Sequence, residues 1–315
     1  MLSVLLPRIA RTVPVFFLVT VCVFGLTSLL PGDPAAALAG DNPTPQQIEE
    51  VRALLGLDRP LWEQYFVWLG NLFQGDLGVS LYNRQPVAEA ILGRLPVTLS
   101  LALVAMIFTV VFGLLGGILA AARRGGPADK ITTILSTIGI ATPNFWIGLL
   151  LIILFSFTLG WLPAVGYVPL TQGFWPWLSH ILLPGIALGA AGAAELLRQT
   201  RSSMIDTLGQ DYIRTARAQG LGAPAVFWRR ALRNASLPLV TVVAFQLAIL
   251  LGGVVIIEKI FSLPGLGSLV IDSVFQKDLP VIQGVVLVNA LIVLVLNLVT
   301  DFVYTLLNPK VRTAS

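Results

Sequence analysis

Six long apolar runs alternate with polar segments along this chain, at residues 13–30, 97–122, 131–158, 178–197, 237–257 and 280–304. Each is long enough to cross a bilayer as a helix, which needs roughly 17–25 residues. No Asp, Glu, Lys or Arg occurs between Lys130 and Glu195, a stretch that is hard to place in a water-soluble fold. The runs are continuously apolar, whereas a transmembrane barrel shows short alternating segments. The pattern therefore predicts an all-α polytopic membrane protein with six transmembrane helices. An opening anchor at residues 1–30 fits better than a cleaved leader. Its apolar run has 18 residues, longer than the ~7–15 of a leader, and a polar Pro-Gly-Asp-Pro separates it from Ala37-Leu38-Ala39.

The polar segments carry their own signals. Residues 31–96 form a long loop. In it, Thr44-Pro45-Gln46-Gln47 has the composition of a capping box with proline in the first turn, followed by Ile48, Val51, Leu54 and Leu55 and stopped by Gly56. A second amphipathic helix is predicted over 60–73, with Leu61, Tyr65, Trp68, Leu69 and Leu72 on one side. These helices could lie on a membrane surface; a small folded extramembrane cap is the expectation. Gly75-Asp76-Leu77-Gly78 reads as a turn. Pro143 predicts a kink in the third span. The turn at 160–177 is rich in Gly, Pro and Trp, and Trp161, Trp175 and Trp177 suit an interfacial belt. Residues 258–279 read as a loop. Gly113-x-x-x-Gly117 and Gly185-x-x-x-Gly189 permit close helix packing. The five later spans, 97–304, form the core, and 305–315 is a short tail.

Charge orients the chain. With six spans, both termini share a side, and that side carries 14 Lys/Arg and three acids; the opposite side carries six Lys/Arg and eleven acids. The positive-inside rule then places both termini in the cytoplasm and the 31–96 loop outside. Only 11% of the 315 residues are charged, against roughly 25% for soluble domains, and the net charge of +4 is no sign of nucleic-acid binding. One Cys (Cys22) and one His (His180) argue against a disulfide framework, a Cys- or His-ligated metal or a His-centred triad. His180 reads as a surface or interface residue.

The conspicuous polar segment is 198–236, with seven Arg and two Asp, on the cytoplasmic side. Its middle predicts a short helix over 212–220, capped by Asp211 and ended by Gly220. Tyr212, Ala216 and Gly220 share one face, two of them tiny, and Arg214 and Arg217 flank it. Such a face suits close docking of another protein. No catalytic constellation, P-loop or metal spacing accompanies it, so no catalytic, cofactor or metal residue is assigned. Glu195 and Asp301 are the acids nearest the membrane core and are candidates for a gate or a structural anchor; Glu195 is spaced to pair with Arg198. A bundle with no energy source and one cytoplasmic docking segment implies a membrane subunit driven by a separate partner.

Asp211-Tyr-Ile-Arg-Thr-Ala-Arg-Ala-Gln-Gly-Leu221 followed by Arg230-Ala-Leu-Arg-Asn-Ala-Ser-Leu-Pro238 resembles the coupling loop of ABC importer permeases, within the dipeptide/oligopeptide/nickel permease family. Leu30-Pro-Gly-Asp-Pro34, Leu55-Gly-Leu-Asp-Arg-Pro-Leu61, Gly75-Asp-Leu-Gly78, Arg94-Leu-Pro96, Gly160-Trp-Leu-Pro163, Glu258-Lys-Ile-Phe261, Pro264-Gly-Leu-Gly267 and Asn308-Pro-Lys-Val-Arg312 agree with it, nearly end to end. Arg214 stands where the broader importer motif has Glu, and Thr215 where it has Ala. The spacing from Gly220 to Pro238 is also longer, as is usual in the peptide branch. The resemblance implies a type I ABC importer permease fold. It implies ATPase contacts at Asp211, Tyr212, Arg214, Thr215, Ala216, Arg217, Ala218, Gly220, Leu221 and Phe227, with Leu237 and Pro238 closing the loop. The implied partners are a second, homologous permease, two cytoplasmic ABC ATPases and an extracytoplasmic substrate-binding protein. The setting is a bacterial or archaeal cytoplasmic membrane. Peptides are the expected cargo; nickel chelates, glutathione or sugars on the same machinery are alternatives, and a secondary transporter is disfavoured by nearly charge-free spans.

Overall fold

Helices form where the apolar runs stand. A computed structural model describes residues 2–29, 33–40 and 43–307. The elements are α1 (Leu2–Ser28), α2 (Pro34–Leu38), α3 (Pro45–Leu54), α4 (Leu61–Phe73), α5 (Val87–Ala122), α6 (Pro127–Ala141), α7 (Asn144–Leu151), α8 (Phe174–Leu208), α9 (Asp211–Ala218), α10 (Ala223–Ala225), α11 (Leu232–Ile260), α12 (Leu266–Gln276) and α13 (Leu279–Leu307). Two π-helical stretches, Ile152–Thr158 and Val226–Ala231, follow α7 and α10. Among the described residues, α5, α8 and residues Leu279–Thr300 of α13 are each long and apolar enough to cross a membrane. Two bent pairs raise that number to five: Pro127–Ala141 with Asn144–Thr158, and Pro238–Leu247 with Gly252–Ile260. The described apolar part of α1, Thr12–Ser28, is shorter than these.

The third span departs most from expectation. It does not merely kink at Pro143: its two arms meet at 108°. Pro143 has no N–H to continue α6 and drives the preceding Thr142 into an extended conformation (φ −93°, ψ 127°). Thr142 closes α6 by donating its hydroxyl to Ile138 O at 2.7 Å, and α7 restarts in a new direction.

The chain divides into two compact units. One contains residues 1–98 and 264–294. The capping box forms as the sequence predicts: Gln47 N–H donates to Thr44 Oγ1 (3.3 Å) and Thr44 N–H to Gln47 Oε1 (2.8 Å). The 258–279 loop is not all loop, because it contains α12, whose Leu266 and Leu269 pack with Val87, Ile91, Val281 and Val285 in this unit's core. The buried Thr98 hydroxyl accepts the first α12 amide, that of Leu266, at 2.8 Å. The buried Asp278 carboxylate accepts from the Ser80 hydroxyl and from Leu81 N–H. It thereby ties the turn 79–86 to the start of α13.

The other unit, residues 99–263 and 295–315, is built around α8, which packs on α6, α7 and α11. The two glycine motifs make reciprocal contact between the later part of α5 and α8. A Cβ on Gly113 would stand 2.7 Å from Leu196 Cβ, and one on Gly117 2.4 Å from Thr200 Cβ. One on Gly185 would stand 2.5 Å from Val104 Cγ1, and one on Gly189 2.5 Å from the Ala105 carbonyl oxygen. Thr109 Oγ1 donates to the Gly189 carbonyl at 3.0 Å across the same seam. Trp161 and Trp175 are exposed as a belt requires, but Trp177 is 7% exposed and belongs to this unit's core.

Candidate functional site

The 198–236 segment is less of a loop than its polarity suggests. Its first eleven residues continue α8, which has 35 residues in all, or roughly 52 Å at 1.5 Å per residue. A bilayer core is ~30 Å thick, so α8 runs well past the membrane. Near this end Arg201 grips Asp129, which lies in the first turn of α6. Nε donates to Oδ1 at 2.5 Å and Nη2 to Oδ2 at 2.9 Å, and Gly125 N–H also donates to Oδ2 at 2.9 Å. The Asp129 side chain is 7% exposed and that of Arg201 32%. A forked, partly desolvated pair of this kind holds geometry more firmly than a surface pair. No local pattern pointed to it, because the partners are 72 residues apart. Glu195 does pair with Arg198, at 2.7 Å. The Asp301 side chain lies outside the described residues.

The short helix α9 begins one residue earlier than expected. Gln210, not Asp211, is the N-cap, and no side chain caps it. Asp211 is the first helical residue, where its charge favours the helix N-terminus; its carboxylate accepts from Arg214 Nη1 at 3.4 Å. The far end closes as a Schellman turn: Leu221 N–H donates to Ala216 O (3.2 Å), Gly220 N–H to Arg217 O (3.0 Å), and Gly220 takes φ +82°. A side chain at Gly220 would meet nothing within 4 Å, so the glycine serves backbone conformation rather than close approach within this chain.

The expected docking face is split by the fold. Ile213 (0% exposed) and Ala216 (6%) point inward and pack with Ala121, Met204, Val226, Ala231 and Ala235. Ala216 is thus a seat within this chain and not an outward contact. Burying Ile213 alone is worth roughly 1.5–3 kcal/mol. Tyr212, by contrast, is exposed, and its hydroxyl accepts from Asn234 Nδ2 at 2.8 Å, tying α9 to α11. Asp211, Arg214, Thr215, Arg217, Ala218, Gly220 and Leu221 all face out. The seat joins the ends of α5, α8 and α11.

Phe227 is half-buried on the same seat, whereas Trp228, not expected from the sequence, is 55% exposed. The π-helical stretch Val226–Ala231 explains the exchange. In an α-helix the residues beside Val226 would be Arg229 and Arg230; the π turn instead aligns Val226 with Ala231, five residues on, and both are buried. Leu237 and Pro238, expected to close the loop, stand inside α11; Pro238 is exposed, and the Leu237 side chain lies outside the described residues.

Comparison with known proteins places this arrangement. Residues 113–313 match the family described as "Binding-protein-dependent transport system inner membrane component", and residues 1–102 match the corresponding N-terminal family. The chain is 43% identical, over 99% of both chains, to a "Putative peptide transport system permease protein" of Brucella abortus (strain 2308). It is equally 43% identical, over 99% of both, to the glutathione transport system permease protein GsiC of Escherichia coli (strain K12). Among solved structures, the MetNI methionine ABC transporter in an inward-facing conformation has a chain that aligns with a TM-score of 0.56 at 17% identity. That alignment covers 67% of this chain and 93% of the other, and it is a likeness of fold.

Proposed function

This chain belongs to the family of binding-protein-dependent transport system inner membrane components, and from that premise we propose that it is the permease subunit of an ATP-driven importer of peptides. The observation that carries the cargo class is the full-length similarity to a peptide permease and a glutathione permease; glutathione is itself a small peptide. ATP hydrolysis resides in two separate cytoplasmic subunits, a second homologous permease completes the pathway, and an extracytoplasmic binding protein delivers the cargo. The membrane is the cytoplasmic membrane of a bacterium or archaeon.

The outward residues of α9, namely Asp211, Tyr212, Arg214, Thr215, Arg217 and Ala218, with Gly220, Leu221 and Trp228 beside them, receive an ATPase subunit. Closure of the ATPases on ATP moves α9. The seat under Ile213 and Ala216 passes that motion to the ends of α5, α8 and α11, and the Arg201–Asp129 pair carries α6 along. The spans then open outward, and hydrolysis resets them. What supports this reading is that α9 rests on three membrane helices through small side chains, with few degrees of freedom to absorb a push.

Peptide uptake tests the cargo. Proteoliposomes holding the complete complex and its binding protein are expected to accumulate a labelled dipeptide only with internal ATP. Accumulation of a nickel chelate or sugar with no peptide uptake would overturn the cargo class. The orientation is tested separately. With Cys22→Ser as background, Gln219→Cys is expected to react with a membrane-impermeant maleimide in inside-out vesicles only; labelling in intact cells would reverse the assigned sides.

A further inference from the structure

The helix α4 is apolar on two faces, and only one of them is used by the fold. Its inner face lies against α1. The rings of Phe24 and Tyr65 stand 5.6 Å apart, those of Phe24 and Trp68 5.8 Å, and those of Phe16 and Phe73 6.4 Å, so the helices run antiparallel. Thr20 gives its hydroxyl proton to Phe17 O (2.8 Å), which leaves Tyr65 as the donor to Thr20 Oγ1 at 2.9 Å. The second face is the stripe Trp62 and Phe66, continued at i+11 by Phe73, whose other edge meets Phe16; all three are 61–67% exposed. The 13 residues of α4 include one charge, Glu63, in the first turn. Gln64 and Asn71 fall on the side opposite that stripe.

We propose that α4 is a membrane-contacting helix, its Trp62–Phe66–Phe73 stripe immersed among the acyl chains of the leaflet that meets the C-terminal end of α1. This rests on the reading that α1 crosses the membrane. Three observations support lipid as the occupant. The stripe is continuous with the exposed apolar surface of α1, which presents Val21 and Leu26 beside it. A groove of about 610 Å³ runs between the two helices, lined by Val21, Cys22, Gly25, Leu26, Leu61 and Trp62, with almost no polar surface. It has the dimensions and chemistry for a hydrocarbon chain. The backbone of α4 is also closed at its end: Asp76 N–H donates to Asn71 O and Gly75 N–H to Leu72 O, both at 3.0 Å. The Asn71 and Leu72 carbonyls therefore need no water. At 13 residues α4 is too short to span; running antiparallel to α1, it enters the leaflet alongside that helix with its stripe turned to lipid.

The test uses nitroxide labels in the full transporter complex in nanodiscs, on the Cys22→Ser background, at Phe66→Cys and separately at Val21→Cys. Molecular oxygen concentrates in acyl chains, and a nickel chelate stays in water. At Phe66 oxygen is expected to relax the label more strongly than the nickel chelate does. The reverse order at Phe66, with Val21 dominated by oxygen, would overturn the proposal while leaving α1 in the membrane. Exclusion of both reagents from Phe66 would also overturn it, because protein rather than lipid would then cover the stripe. A label at Val21 relaxed mainly by the nickel chelate would remove the premise itself.

Discussion

Adding one methyl group at Gly189 or Gly117 is expected to destabilise the folded protein, and adding the same methyl at Gly93 is expected to do the opposite. All three glycines lie inside helices, where alanine is favoured over glycine by roughly 0.5–1 kcal/mol. At Gly93 nothing lies within 4 Å of the new carbon, so that preference is expressed in full. At Gly189 the carbon would lie 2.5 Å from the Ala105 carbonyl oxygen, and at Gly117 2.7 Å from the Leu197 carbonyl oxygen. Both obstacles are backbone, and no rotamer change can clear them. The later part of α5 and α8 would have to separate, weakening the Thr109–Gly189 bond, at a cost typical of overpacking, ~1–3 kcal/mol or more. Thermal unfolding of the purified protein in detergent reads the sign directly. Midpoints should fall for Gly189→Ala and Gly117→Ala and hold or rise for Gly93→Ala. A rise of similar size at all three would mean that helix propensity and not helix contact governs these positions.

What the sequence discloses here is what repeats along it. The apolar runs locate the long helices. Thr44 to Gln47 forms its capping box, Gly220 takes the left-handed turn expected of it, and the spaced glycines do pack helices. What stayed hidden depends on contacts between distant residues or on small shifts of helical phase. Pro143 marks a break, but its 108° angle follows from how α6 and α7 each pack on α8. The helix α12 has 11 residues behind a Pro-Gly lead-in, a pattern that reads locally as loop. Asp129 and Arg201 carry no mark of each other. In the 198–236 segment, the family resemblance pointed to Phe227 as the outward aromatic. The π turn over Val226–Ala231 leaves Phe227 half-buried and presents Trp228 as the more exposed aromatic. The same limit applied to Ala216: its place on the small face of α9 is legible, but which protein that face meets is not. The structure gives it to this chain's own core.

Under the proposed function, α9 is a lever with a fixed underside and an outward surface pressed by an ATPase. Ala218 is the position that separates these roles. It is exposed and helical, so a large side chain fits there without displacing the seat. At Gly220 a substitution would also force an L-residue to φ +82°, at roughly 1–2 kcal/mol, and would confuse strain with obstruction. Ala218→Trp is expected to leave the protein folded, with an unchanged unfolding midpoint, and to hold the ATPase off α9. Loss of even ~1.4 kcal/mol of docking energy weakens that contact tenfold. ATP-driven uptake of labelled dipeptide by proteoliposomes containing the complete Ala218→Trp complex is the direct measurement. The account predicts a fall of about tenfold or more relative to the unaltered complex. Uptake at the unaltered rate would contradict α9 as the point where ATPase motion enters the membrane.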